Sequence, residues 1–367
     1  MKNKTIHLKL PININNEDEF IFEKVNNYKI RTSKVTLLKN VFVTNNGFVL
    51  KNGILNSKSG LNLKSNNDHT FYYDYWKVAL EQNIVCKFGK SLPSLILKDN
   101  TYLLIHSKWL NYSFWITEYL QRLARVEKEI GLENLVLLYP EEWDQIPYIV
   151  DSLSIFSIKK LKIPAGHHLF IKKLVFPETR EITSYFDPEH IQIIRNRLLK
   201  EAKKLSQLIE TPKKIYLTRG LNVKRAITNE EELQQVFKEH GFSIVSFEKL
   251  SIWDQIIYMN NADIVFTNHG AGFSNVIFME PKKIALEFLE RDFAYYANPF
   301  PHWKLANTVE VQYAYQLCNS PQTKHINYKP LKSTNGTDRI EHVDRNIIVD
   351  INQLIININY CVSKISS

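Results

Sequence analysis

Residues 263–287 read DIVFTNHGAGFSNVIFMEPKKIALE. The stretch opens on a short apolar run, Ile264, Val265 and Phe266. It then turns through Asn268, His269, Gly270, Ala271 and Gly272, and enters an apolar segment near Ser274 that Pro281 stops. A second apolar run, residues 284–289, carries Glu287. The pattern predicts strand, tight turn, helix and strand, the repeating unit of a parallel α/β sheet. A helix N-terminus at such a turn offers unpaired N–H groups and the positive end of the helix dipole, so a phosphate-like anion is the expected occupant at Gly270, Ala271 and Gly272. Glycine there lets the backbone approach closely and take positive φ. Any turn between strand and helix needs a glycine or two, so the flanking residues must decide between phosphate site and plain turn.

Upstream, residues 214–217 read as a strand and 219–227 as a loop carrying Arg219 and Arg225. Thr228, Asn229, Glu230 and Glu231 form a capping-box pattern that opens a helix to about His240, ended by Gly241. Residues 243–247 read as a strand, and Ser251 caps a helix over 252–260. Ligands of such sheets bind outside the carboxyl ends of the strands, where Arg219, the glycine turn and Glu287 are expected to meet. Two arginines beside a helix N-terminus suit a diphosphate and supply its countercharge without a metal. Glu287, read as the end of its strand, is placed for ribose hydroxyls or is an edge-facing glutamate. His269 and Asn275 either reach a phosphate oxygen or sugar hydroxyl, or cap the turn. Glu230, Glu231 and Glu232 are read as helix-start residues without chemistry.

The first half begins with short strand-like runs at 21–22, 34–38 and 41–44, and with an Asn45–Asn46–Gly47 turn. An aromatic run follows at 70–76 (TFYYDYW), read as core. After a strand at 101–106, Trp115, Tyr119, Leu123 and Val126 recur at helical spacing over 111–131. Strands are expected at 135–139, 161–163 and 169–176, with a helix over 141–152 between the first two. Asp187 and Pro188 cap and start a long helix to about residue 209. Residues 346–367 read as a strand and a closing amphipathic helix. The expected domains are 1–185, 186–345 and the closing segment 346–367.

The 367 residues hold 47 basic against 38 acidic side chains, a formal net charge of +9 that favours anionic partners. The basic residues are scattered and do not alternate with aromatics, which argues against nucleic acid. No apolar run approaches eighteen residues, and the N-terminus lacks the apolar segment of a signal peptide, so a cytoplasmic protein is expected. Cys86, Cys318 and Cys361 have no metal or redox spacing.

Four pieces carry a family resemblance: TRG…R…TNEEEL (218–233), GFSIVSFEKLSIWDQIIYMNNADIV (241–265), NHGAGFSN (268–275) and the strand with Glu287. Together they resemble the C-terminal region of family 61 glycosyltransferases, a group that includes enzymes of capsule synthesis. The segment NYSFWITEYLQRL (111–123) is similar to another family segment, but Ser113 and Phe114 stand where the family usually has a histidine. The resemblance implies a GT-B architecture: two facing Rossmann-like domains, with the closing helix crossing back to the first. It implies an inverting transferase without metal or cofactor, a nucleotide-sugar donor, often UDP-linked, held by the second domain, and a glycan or lipid-linked glycan acceptor at the first. Peripheral contact with anionic membrane fits the basic charge. The catalytic set is then Glu118 as base, with Asp74 as fallback, and Arg219 and His269 at the leaving group. Donor contacts fall to Arg219, Arg225, Asn268, His269, Gly270, Ala271, Gly272, Asn275 and Glu287. The rival readings are an epimerase or hydrolase on the same fold, an NAD(P)-binding protein, since Gly270-x-Gly272 followed by Glu287 partly mimics that fingerprint, and a non-catalytic basic scaffold.

Overall fold

A computed structural model describes residues 3–366 apart from 24–25, 32–33, 53, 60–94, 108–109, 166, 179–185, 207–209, 220–223, 297–299 and 322–344. The aromatic run with Asp74, and also Cys86 and Trp109, lie outside the described residues. The chain divides into two compact units, Met1–Asn3 with Arg31–Tyr185, and Lys4–Ile30 with Phe186–Ser367. Residues 4–30, expected in the first domain, thus belong to the second. There β1 (Asn3–His7) pairs with β2 (Asn27–Arg31) as a separate two-stranded sheet.

The first unit is built on a mixed sheet. Its strands are β3 (Val35–Thr44), β4 (Val49–Lys51), β5 (Ile54–Leu55), β6 (Leu95–Leu97), β7 (Thr101–Leu104), β8 (Leu135–Pro140), β9 (Lys159–Ile163) and β10 (His168–Pro177). The order is β5-β4-β3-β10-β7-β8-β9, with β6 also pairing β10. β7, β8 and β9 run parallel, whereas β3 lies antiparallel to β10. The helix expected over 111–131 is interrupted: one turn at Tyr112–Phe114, a π-helical stretch Trp115–Tyr119, then α-helix Leu120–Ile130. Trp115, Tyr119, Leu123 and Val126 are all buried, as their spacing requires.

The second unit holds a five-stranded, wholly parallel sheet: β11 (Lys214–Thr218), β12 (Ser243–Ser246), β13 (Ile264–Asn268), β14 (Ile284–Glu290) and β15 (Gln312–Cys318). The order is β12-β11-β13-β14-β15, so the winding reverses between β11 and β13. One face is closed by helices Glu230–Glu239 and Ile351–Ser366, whose Leu233, Phe237, Leu354, Ile358 and Cys361 pack with Tyr216, Phe266 and Phe288 of the sheet. The closing helix therefore spends its apolar face inside the second unit, where the resemblance led to a helix crossing back to the first.

Asp187 caps the helix Pro188–Leu205 through Glu189 N–H, and Ser251 caps Ile252–Asn261 through Asp254 N–H. The capping box at 228–231 does not form. Asn229 stands at the N-cap position without capping, because its amide is bonded to both Val349 N–H and Val349 C=O. Thr228 bonds Ile347 C=O.

Candidate active site at the sheet's switch point

In a parallel sheet the crevice opens where the strand order reverses, outside the carboxyl ends of the strands. Here those ends are Thr218 of β11 and Asn268 of β13. The chain leaves β13 with His269 N–H bonded to Phe288 C=O of β14, which carries the ladder one residue past the strand. A 3₁₀ helix, Ala271–Phe278, follows at once, three residues earlier than expected and tighter than an α-helix. The N–H groups of Gly270, Ala271 and Gly272 make no hydrogen bond among the described residues.

Arg219 Nη1 donates to His269 C=O at 2.8 Å, so the guanidinium lies across the turn. A Cβ on Gly270 would stand 2.4 Å from that nitrogen, whereas one on Gly272 would meet only Leu217 Cδ2 at 3.7 Å. Neither glycine adopts the left-handed region; Gly270 is extended at φ 160°. The expected need for positive φ is therefore corrected: glycine at 270 leaves room for the Arg219 guanidinium, which a side chain there would displace. The residue with left-handed backbone is Arg225, at φ 64°. Its carbonyl accepts from Asn268 Nδ2, so that asparagine's amide nitrogen is spent on holding the arginine loop. Asn275, fully buried, donates to Gly272 C=O at 3.2 Å and braces the turn from below.

Glu287 does not end its strand. It lies three residues before the end of β14 and is 2% exposed. Oε1 receives Nδ1 of His269 and Nδ1 of His302, each at 2.5 Å, and Oε2 receives the Tyr313 hydroxyl at 2.7 Å. With those acceptor sites taken inside the protein, the expected contact with a ribose is corrected: Glu287 serves two imidazoles. Burial alone would raise its carboxyl, but attraction from His302 and His269 and their hydrogen bonds outweigh it and hold the group well below the usual carboxylate range. An ionised carboxylate only accepts, so each ring donates Nδ1–H and turns its Nε2 away from the carboxylate. Burial lowers the pKa of His269 below the ordinary imidazole value, against the raising effect of Glu287. His302 stacks on Phe273, ring centroids 4.8 Å apart. Burial, then the charge of Glu287, pushes the Tyr313 hydroxyl well up.

Sequence reasoning missed His302 and Tyr313. His302 sits in the first turn of helix Pro301–Thr308 and Tyr313 in β15, and neither position bears a motif. His269, Glu287 and His302 are also near enough to one another to be considered as ligands of one ion. Two ligands of a tetrahedral zinc lie about 3.3 Å apart, from bond lengths near 2.0 Å. The 2.5 Å contacts here are hydrogen bonds, and Tyr313 holds the remaining oxygen.

In the first unit, Glu118 is 3% exposed, in the π-helical stretch. Its Oε1 accepts from Arg122 Nη2 at 2.8 Å and Nε at 3.2 Å, while Arg122 Nη1 donates to Ile105 C=O. A carboxylate so buried and so paired has the geometry of a packing element.

The model of the family Glycosyltransferase 61 matches residues 112–286. That match spans 175 of the 367 residues, and over them the chain is similar to glycosyltransferase family 61. No curated protein sequence matches it. The match supports a glycosyltransferase, and the family implies a nucleotide-sugar donor and a glycan acceptor. The matched segment contains Glu118, Arg219, Arg225 and the turn 268–275, and stops one residue before Glu287. Among the described residues of this glycosyltransferase, no helix is long and apolar enough to cross a membrane.

Proposed function

We propose that the chain is an inverting, metal-independent glycosyltransferase of GT-B architecture. It moves a sugar from a UDP-linked donor to a hydroxyl of a glycan acceptor during surface polysaccharide synthesis, in the cytoplasm at the inner face of the membrane. The observation that carries this reading is the turn itself: three N–H groups, at Gly270, Ala271 and Gly272, unengaged among the described residues and roofed by the Arg219 guanidinium, at the carboxyl edge where the winding reverses. That is a cradle for a diphosphate, with Arg225 in the same loop as a second cation. Asn268 and Asn275 shape the cradle from behind.

In the reaction the acceptor oxygen attacks the anomeric carbon from the face opposite the diphosphate. The new C–O bond forms as the bond to the phosphate oxygen breaks, and the electron pair leaves with the diphosphate. Preorganised charge at that leaving group is the larger catalytic contribution. Glu118 is not retained as base, since its burial and its pairing with Arg122 keep it from a hydroxyl.

A thermal-shift panel with UDP, GDP, CMP, ADP and NAD⁺, with and without EDTA, tests the reading. Nucleotide at a hundred times its Kd stabilises by about 2.7 kcal/mol, a shift of about 5–11 °C for a unit of this size. The expected result is a UDP-selective shift, insensitive to EDTA and lost in Arg219→Ala. Failure of every nucleotide, or a shift abolished by EDTA, sinks it.

A further inference from the structure

Glu287 lies one side chain behind the turn assigned to the diphosphate, bonded to the histidine whose carbonyl holds Arg219. The cluster of His269, Glu287, His302 and Tyr313 keeps the buried carboxylate of Glu287 behind the turn. A buried negative charge beside a diphosphate weakens binding unless something cancels it. The groups around His269 show what can. β14 presents Glu287, and helix Pro301–Thr308 presents His302, ring centroids 4.8 Å away. The loop after β11 presents Arg219 and Arg225, helix Arg291–Tyr296 presents the Phe293 ring, and β15 reaches the cluster through Tyr313 on Glu287. His269 stands at the turn itself and can gain a positive charge there. Its Nδ1–H is committed to Glu287. Its Nε2 has no hydrogen-bond partner among the described residues, and its side chain remains 14% exposed.

We propose that His269 binds the donor's diphosphate as the imidazolium, so that donor binding takes up one proton, with Glu287 positioning His269 and with His302 and Tyr313 positioning Glu287. The inference rests on the donor site proposed above. A neutral Nε2 presents a lone pair to a phosphate oxygen and repels it; an Nε2–H donates a charge-assisted hydrogen bond. Burial keeps the unliganded ring neutral near pH 7. Two phosphate charges at hydrogen-bond distance raise its pKa, and between the free and bound values each nucleotide brings one proton with it. Glu287 fixes the ring so that the proton taken up points outward. His302 and Tyr313 satisfy one further acceptor direction on each oxygen of Glu287, which would otherwise be unmet in the interior. When the sugar–phosphate bond breaks, the leaving group gains one negative charge, and the N–H already aimed at it stabilises that charge without reorganisation.

Calorimetric titration with UDP-glucose, in HEPES and in Tris, reads proton uptake from the difference in binding enthalpy. UDP-glucose is a diphosphate diester and does not itself titrate near neutrality; GDP-mannose replaces it if it does not bind. The expected result is uptake of about one proton at pH 7.5, with affinity falling up to about tenfold per pH unit as pH rises through the window. His269→Gln abolishes uptake and flattens the pH profile. His302→Asn keeps an N–H where Nδ1–H stands and retains uptake, whereas His302→Leu and Tyr313→Phe shift the profile. Binding that is independent of pH and buffer in the folded protein overturns the inference while leaving the donor reading intact. Uptake that survives in His269→Gln also overturns it. Binding that EDTA removes, with proton release on adding zinc, makes the cluster a metal site and overturns it too. No binding of either nucleotide sugar at any pH overturns both.

Discussion

A methyl group separates two glycines that look equivalent in the sequence. At Gly270 a Cβ would overlap Arg219 Nη1; at Gly272 it would make an ordinary contact with Leu217. Because the obstacle at Gly270 is the end of a flexible side chain, Gly270→Ala is expected to displace the arginine while the fold adjusts. Melting should move by less than about 1 kcal/mol, while nucleotide binding weakens at least about tenfold, or 1.4 kcal/mol. Gly272→Ala should leave both near wild type. Paired melting curves and titrations check this, and equal effects from the two substitutions would be the wrong outcome. Glu118 poses a different question. Removing one partner of a buried ion pair typically costs about 3–5 kcal/mol, whereas replacing both with apolar residues is often neutral. Glu118→Leu should therefore unfold at markedly lower denaturant, with Glu118→Leu combined with Arg122→Met close to wild type. If Glu118→Gln instead folds normally and loses turnover, the carboxylate is the base after all. At this scale the turn, Arg219 and Arg225 were legible because a glycine pair after an apolar run and arginines at a strand end are local patterns. The direction in which Glu287 points was not, since spacing cannot say whether a mid-strand carboxylate meets water or two histidines from other elements.

Elements are most legible where a single side chain closes their ends locally. Asp187 and Ser251 cap as read, each bonding an N–H within three residues. Thr228–Asn229 has an equally good local signature and is used otherwise, because a partner 120 residues away outcompetes the helix end. The Asn229 amide pairs with Val349 as a strand neighbour would, and so anchors the segment leading into helix Ile351–Ser366. Asn229→Ala leaves one buried donor and one acceptor of Val349 unmet, a cost of about 1–3 kcal/mol. Amide exchange should show lost protection across 351–366 ahead of the central strands, and uniform loss over the whole unit would contradict the anchoring role. The π-helical stretch was equally unreadable, since Trp115, Tyr119, Leu123 and Val126 face inward with or without its extra residue.

At the scale of the molecule, each of the two units has its own sheet, and the first has its own acid sensitivity. In the first unit, burial and then the charge of Arg122 depress the pKa of His106 from 6.5 to about 4, against its hydrogen bond to Asn45 C=O. The unfolded chain binds the proton more readily, so the stability carried by neutral His106 is complete above pH 6.5. It is lost as pH falls from there to about 4, by about 3 kcal/mol. Denaturant melts of the first unit between pH 7 and 4 should show this slope, and His106→Gln should flatten it. A wild-type profile that is level across the window would refute the assignment. The alternation of strands and helices foretold two α/β parts. The membership of residues 4–30 was hidden, because it depends on partners some 300 positions away.

Those partners set an order of events during translation. Asn13 bonds to Tyr315 across 302 residues, Lys9 C=O receives Trp303 Nε1, and Ile12 C=O receives Tyr360 near the end of the chain. The ribosome, adding about 5–20 residues per second, needs about 15–60 s to make Tyr315 after Asn13. Over that interval residues 31–185 emerge whole and are free to collapse as an inserted body. The leading segment waits, and the unit that holds the turn at Gly270 closes only once the final helix has left the exit tunnel.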